Sequence, residues 1–461
     1  MTPRLRVIAA VAALCPTASA CKRGPDAYGQ VVVHIDTDAP VAASLDQAGV
    51  LRGATFDLLR IDVYRHGVPV ASDALSRELA VDAAMFRERR ASMGIVPTLE
   101  ADDLSVRVRL FSRDRRIGAE PQPRTTIDIT TALPPVGKTG TIDIAVLLPV
   151  DALGRARGDS EPLPATVGEG GESAVGAWSA DARLPCAGEA NTDEACVPGG
   201  TFWLGDPSVL GSDVKTDVHD ERLVAISAFF LDRREVTVGD FRAEAAALGA
   251  AGVEAPTPWN GQSGESESDA CTFTSGPSAA DPTDRHAALP LTCVSWRTAQ
   301  AFCRAKSRDL PTEAQIEFAS TGLGEERPYV WGDAEPDCTF ATFGRGVVDR
   351  SCRGPGHPFG ASPAGSGARD RLVLAPGVEF VDLAGNVAEW TRDVWSGPNE
   401  GYWSDSRPLR NPVADLASAD GDRRTVRGSS WAASAHDMLS SHRRSATPDT
   451  KSASVGFRCA R

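Results

Sequence analysis

The placement of cysteine constrains this chain more than any other feature. None of its ten cysteines lies between Tyr28 and Val150, whereas eight lie beyond Leu184: Cys186, Cys196, Cys271, Cys293, Cys303, Cys338, Cys352 and Cys459. A chain of 461 residues is long enough for at least two cores, and this distribution divides it into a part that folds without crosslinks and a part that uses them. None of the eight shows C-x-x-C spacing or a neighbouring histidine pair, so disulfides rather than a zinc site are expected, as suits an oxidising compartment.

The start of the chain agrees with that compartment. Arg4 and Arg6 precede a short apolar run from Val7 to Leu14 and the small residues Ala18-Ser19-Ala20, which reads as a signal peptide over 1–20. A helix of that apolar run spans about 12 Å against a hydrocarbon core of about 30 Å, so it is not a membrane span. Cys21 follows directly and looks like the lipidated cysteine of a bacterial lipoprotein, although Ala18 stands where that motif usually has Leu. Residues 21–27 then form a tether, and the expected location is the cell envelope, lipid-anchored in the periplasm or at the surface, with plain secretion as the alternative. A net charge of −14 opposes binding to nucleic acid or anionic lipid surfaces. The membrane is reached by the lipid anchor only.

Residues 28–150 show runs of period-two alternation, for example Gln30–Ile35, Leu59–Tyr64, Leu104–Leu110 and Gly140–Val146. They predict an all-β, antiparallel sandwich domain. Within it, Ala132-Leu133-Pro134-Pro135-Val136-Gly137-Lys138-Thr139 has the loosest spelling of a phosphate loop. Two prolines lack the N–H groups that would face a phosphate, so no nucleotide is expected. Residues 151–183, rich in Gly, Pro, Ala and acids without apolar periodicity, predict a flexible linker. Its Gly171-Glu172-Ser173-Ala174-Val175 stretch lacks the second glycine of a nucleophile elbow.

From residue 184 to 461 the helix signals are local. Thr237 with Asp240, Ser295, and Thr312 with Gln315 each place a capping residue before a helical run, and Ala299, Phe302 and Cys303 fall on one buried face. The order and spelling of Gly199-Gly200-Thr201-Phe202, Glu235-Val236-Thr237, Val294-Ser295-Trp296, Leu310-Pro311-Thr312-Glu313-Ala314, Trp331-Gly332-Asp333, Gly385-Asn386-Val387-Ala388-Glu389-Trp390, Arg427-Gly428-Ser429-Ser430-Trp431 and Gly456-Phe457-Arg458-Cys459 resemble the formylglycine-generating enzyme, or sulfatase-modifying factor, family over this whole half. The resemblance implies a loop-rich α+β fold similar to C-type lectins. It implies a disulfide between Cys303 and Cys459; local pairs Cys186 with Cys196, Cys271 with Cys293 and Cys338 with Cys352 are the guess for the rest, since sequence does not fix connectivity. It also implies a structural calcium held by the Asp382 and Glu389 side chains and the Gly385 and Val387 carbonyls. The alternative is that Asn386 and Glu389 only hydrogen-bond a tight turn against Trp390.

The enzyme that names the family oxidises a cysteine thiol with dioxygen, using copper(I) on two thiolates, and both lie between the R-G-G-S and G-F-R elements. Here that interval, Trp431 to Asp449, has no cysteine. His436, Met438 and His442 are its only residues with affinity for copper, in no recognised pattern, so copper is not expected. Ser429 replaces the second glycine, and Ala388 replaces an aromatic residue. Two readings follow. In the first the domain is a non-catalytic envelope module whose groove, lined by Trp431, His436, Arg443 and Arg444, holds a peptide, glycan or protein partner. In the second it is an oxidoreductase of altered mechanism, an envelope tailoring oxidase, using Ser430, His436 and Arg443, with formylglycine formation on sulfatases a more distant version. A plainer reading of the same residues pairs Arg443 and Arg444 with carboxylates at the core edge and makes Trp431 packing.

Overall fold

The computed structural model describes residues 29–42, 56–70, 76–96, 103–137, 139–206, 221–262, 264–397, 400–405, 407–415 and 422–461. The signal peptide, Cys21 and the tether residues 21–27 lie outside these. The chain divides into two compact units, Met1–Ala180 and Asp181–Arg461. No helix among the described residues is long and apolar enough to cross a membrane.

In the first unit, strand β1 (Gln30–Thr37) alternates as its sequence implies, burying Val31, Val33 and Ile35. A second sheet is antiparallel: Leu58–Arg65 pairs with Ser76–Ala80 and with Leu104–Phe111, which pairs in turn with Ile127–Ala132. Its apolar face aligns Ile61 with Val108 and Val63 with Val106. Its other face is closed by ion pairs, Arg109 Nη2 on Asp62 Oδ2 at 2.6 Å and Arg107 Nε on Asp128 Oδ1 at 2.9 Å. The expected antiparallel pattern fails where β1 runs parallel to Thr141–Leu148. Period-two alternation is the same for either strand direction, so the sequence carried no sign of it.

Residues 151–183 are not a free linker in this structure. Their backbone bonds to both sheets: Gly154 N–H donates to the Thr126 carbonyl, Arg157 N–H to that of Asp128 and Gly168 N–H to that of Asp143, and Thr166–Val167 adds a strand beside Ile144 and Ala145. Ser173 Oγ and Ala174 N–H bond the two Asp36 oxygens at 2.7 and 2.8 Å. Covering strand edges requires backbone groups rather than apolar side chains, which is why the segment has no hydrophobic period.

Helix α1 (Ala83–Arg87) lies in the first unit, and in the second unit the three expected helices form where their caps lie. Helix α2 (Val238–Ala250) starts with the Thr237–Asp240 capping box. Helix α3 (Trp296–Ala305) is capped by Ser295, with Ala299, Phe302 and Cys303 buried, and α4 (Glu313–Ser320) has the Thr312–Gln315 box. Phe241, Phe302 and Phe457 pack in sequence with centroids 5.8 and 5.5 Å apart. Trp390 is enclosed beside them and donates to the Val294 carbonyl at 3.1 Å. A four-stranded sheet orders Arg443–Ala446, Arg424–Arg427, Ala388–Val394 and Val455–Gly456.

The disulfides are Cys186–Cys196, Cys271–Cys293, Cys303–Cys459 and Cys338–Cys352, as expected. Cys303–Cys459 closes a separation of 156 residues, the longest loop of the four. On the chain-entropy view such a loop adds roughly 5 kcal/mol by restricting the unfolded chain. The double variant Cys303→Ser/Cys459→Ser should lose about that much stability in urea unfolding of the oxidised protein, whereas Cys186→Ser/Cys196→Ser should lose less.

Candidate functional site

Glu313 and Glu317 are four residues apart on α4, and both are fully buried. Like charges at that spacing repel, so the helix needs cations against it. Arg443 supplies one, with Nε on Glu313 Oε1 at 2.7 Å and Nη2 on Oε2 at 3.0 Å, while its Nη1 donates to the Ser396 carbonyl. Its guanidinium also lies 4.1 Å from the Trp395 ring centre. Arg427 supplies the other, bonding Glu317 Oε2 at 2.5 Å and the carbonyls of Ser440 and Ser441. Gly205 N–H bonds the second Glu317 oxygen, and Asp393 accepts from the N–H groups of Glu313 and Ala414. Burial raises the Glu317 carboxyl to about 7 against the pull of Arg427, and burial with the Glu313 charge raises Asp393 to about 7.

This geometry decides several of the expected site residues. Arg443 is a scaffold cation rather than part of a groove. Trp431 is likewise interior: its indole donates to the Ala453 carbonyl at 2.9 Å and its ring meets Phe359 edge-on at 4.8 Å. Ser430 is buried and its carbonyl accepts from Ala433 N–H. Arg444 is partly buried, with Nε and Nη2 lacking hydrogen-bond partners and Asp437 as its nearby countercharge. His436 and Met438 lie in the 3-10 turn Ala435–Met438, and His442 follows it. His436 is exposed, Met438 lies in the core with Leu383 and Ala384, and His442 is buried with Nδ1 3.3 Å from the Asp437 carbonyl.

The expected calcium loop is a crowded turn. Asp382 and Asn386 have φ of 54° and 66°, and a Cβ on Gly385 would stand 2.8 Å from the Thr342 carbonyl oxygen, so glycine is required there. Both Glu389 oxygens accept from Arg458, Oε1 at 2.6 and 2.8 Å and Oε2 at 2.7 Å. The same guanidinium bonds the carbonyls of Val381 and Asp382. Asp382 Oδ2 accepts from Gly365 N–H, and Oδ1 is buried without a partner. One open carboxylate oxygen is left of the expected pair of side chains, so the residues as placed do not fit calcium with Glu389 as a ligand. The plainer reading agrees better for Asn386: its amide bonds Glu235 and the Ser362 carbonyl, and its Oδ1 accepts from Ser362 N–H.

Sequence reasoning missed Asp370, whose carboxylate accepts from the N–H groups of Leu383, Ala384 and Gly385, and Glu235, which accepts from Val387 N–H. Burial raises both, and Asp382 and Glu389 with them. No local pattern announces Asp370. Nor does the Glu313–Glu317 spacing announce the buried arginines, since two glutamates one helical turn apart do not by themselves show that they are buried.

A disulfide-tied, loop-rich α+β domain with capped helices and a carboxylate–arginine interior is thus established for the second unit. Residues 182–461 match the family described as the sulfatase-modifying factor enzyme 1-like domain, and the chain belongs to it. Among relatives, it is 29% identical over 180 residues to "Inactive C-alpha-formylglycine-generating enzyme 2" of Bos taurus, covering 37% of this chain and 50% of the relative. It is 27% identical over 300 residues to "Formylglycine-generating enzyme" of Thermomonospora curvata, covering 57% and 91%. A solved structure, PvdO from Pseudomonas aeruginosa, is similar with 22% identity and a TM-score of 0.40, covering 58% of this chain and 93% of that one. The chain spans about half the length of the bovine relative.

Two outcomes follow for the interior. Glu317 and Asp393 bind protons more tightly folded than unfolded, so their contribution to stability is full below about pH 4 and is lost as pH rises through about 7. The thermal midpoint should therefore fall between pH 5 and pH 8, and Glu317→Gln should flatten that slope. Because Arg458 already holds Glu389, a chelator should leave the thermal midpoint unchanged; a chelator-induced drop reversed by calcium would refute this arrangement.

Proposed function

We propose that this is an exported, lipid-anchored envelope protein whose second unit is a non-catalytic binding module on the family scaffold. One observation carries the reading: every described cysteine is tied in a disulfide, and the interval from Trp431 to Asp449 contains no cysteine. Copper(I) needs soft ligands, and a disulfide sulfur is not a thiolate. His436, Met438 and His442 do not replace them, since one is at the surface, one is in the apolar core and one is bonded to its own turn. The relative named as inactive supports the same reading for a domain of this kind. Four disulfides suit an oxidising compartment, in keeping with the leader and Cys21.

What remains is a surface for a peptide, glycan or envelope protein. Since Trp431 and Arg443 are interior, that surface has to be built from other residues. For the oxidase alternative, Ser430 and Arg443 are enclosed whereas His436 is exposed.

The reading is tested by loading the purified full chain with copper(I) and supplying a cysteine-containing peptide and dioxygen. The expected result is no stoichiometric copper retained after desalting and no dioxygen uptake above the protein-free control. Retained copper with peptide-dependent dioxygen uptake would overturn it.

A further inference from the structure

The first unit holds a cavity of 240 Å³ lined entirely by its own residues. On β1 and on Thr141–Leu148 the positions that alternate with the buried ones carry His34, Asp36, Ala145 and Leu147. These share one face of the parallel pair, His34 beside Ala145 and Asp36 beside Leu147. Residues 169–174 form a strap over that face. Arg89 fastens one end, with Nη1 on Glu169 Oε2 at 2.8 Å and Nη2 on the Gly171 carbonyl at 3.1 Å. Asp36 fastens the other through Ser173 and Ala174. Gly170 brings the strap against the sheet, where a Cβ would stand only 3.3 Å from that of Ala145. With two glycines in the span, Glu172 is the one strap side chain left to fill the space alongside.

Protein interiors pack closely, and a void of this size forfeits dispersion contacts unless something occupies it. It exceeds the roughly 150 Å³ that admits a benzene-sized group and falls short of a drug-sized pocket. One side chain or a small molecule fits. The lining sets the chemistry. Phe86, Ala91, Ala145 and Leu147 supply an apolar wall, and Leu147 is 53% exposed, so the wall is reached from solvent. Asp36, Glu169 and Glu172 line the cavity against one guanidinium, that of Arg89, which is committed to the strap. His34 bonds Asp143 at 2.8 Å, a pair that is neutral or negative according to the proton on the ring. Asp38 lies close enough to Asp36 to feel its charge and adds a further negative group. Of the other cations on this stretch, Arg90 pairs with Glu88, and neither it nor the exposed Arg87 lines the cavity. Glu172 is exposed and has no hydrogen bond or ion pair among the described residues. An anion would be repelled here, and a neutral ligand would leave Glu172 unmatched, whereas an apolar body with a cationic head answers both the wall and the rim.

We propose that this cavity is a binding site for a small organic cation, its apolar body against Leu147, Ala145 and Phe86 and its ammonium head towards Glu172. The site belongs to the first unit and does not rest on the reading of the second.

The full chain is to be titrated calorimetrically at neutral pH and low salt with phenethylammonium chloride, phenethyl alcohol and sodium phenylpropionate, which share a phenyl body and differ in the charge of the head. The ammonium compound should bind saturably with a Kd on the order of millimolar, the alcohol several-fold more weakly and the carboxylate not at all. Glu172→Gln should weaken the ammonium compound about two- to five-fold, and Leu147→Ser should weaken both the ammonium compound and the alcohol. Both side chains are exposed, so neither change touches the core. Nα-acetyl-lysine amide binding more tightly than phenethylammonium would place the cation on a peptide, and the reverse order would make it a free amine. No saturable binding of either ammonium, equal or tighter binding of the carboxylate, or undiminished affinity in both variants would each overturn the assignment.

Discussion

The ion pair between Arg458 and Glu389 is the interaction on which the rest of the second unit depends. Arg458 lies just beyond the last strand, Val455–Gly456, between Phe457, whose carbonyl receives Val236 N–H, and Cys459, which is bonded to Cys303 on α3. Through its guanidinium the C-terminus reaches the Asp232, Val381 and Asp382 carbonyls as well as Glu389. Segments more than 200 residues apart in sequence are thereby held in one plane of contacts. Replacing this arginine would leave Glu389 buried beside Glu235 and Asp382, both already raised by burial and mutual repulsion. An interior this rich in carboxylates tolerates its charges only while each arginine stays in place.

Much of this was legible because it is local. The caps of α2, α3 and α4 lie within three residues of the groups they satisfy, so Thr237, Ser295 and Thr312 could be read directly. Strand positions in the first unit followed from alternation in the same way. What could not be read depends on distant partners. Sequence left Arg443 open between a groove residue and a carboxylate-paired cation because Glu313 is 130 positions away, and Trp431 open between groove and packing because nothing nearby in sequence indicates Ala453 and Phe359 around it; the structure takes the plainer reading for both. The parallel pairing of β1 and the backbone bonding of residues 151–183 leave no mark in side-chain periodicity.

The functional reading follows from the same division. The landmarks from Leu310 to Ala314 and from Gly385 to Trp390 are caps, turns and ion-pair members, and they define the scaffold. The copper(I) chemistry that the resemblance implies would use free thiolates, whereas the eight described cysteines are crosslinked. A scaffold so constrained can still present a rigid surface.

The central claim is that the sulfur of the second unit is structural. It is tested most directly by alkylating the unfolded, unreduced protein with iodoacetamide and mapping the eight cysteines from Cys186 to Cys459 by mass spectrometry. The expected result is four crosslinked peptide pairs and no alkylation at any of the eight. Near-stoichiometric labelling at two of them in freshly purified protein would reveal an available thiol pair and contradict the account.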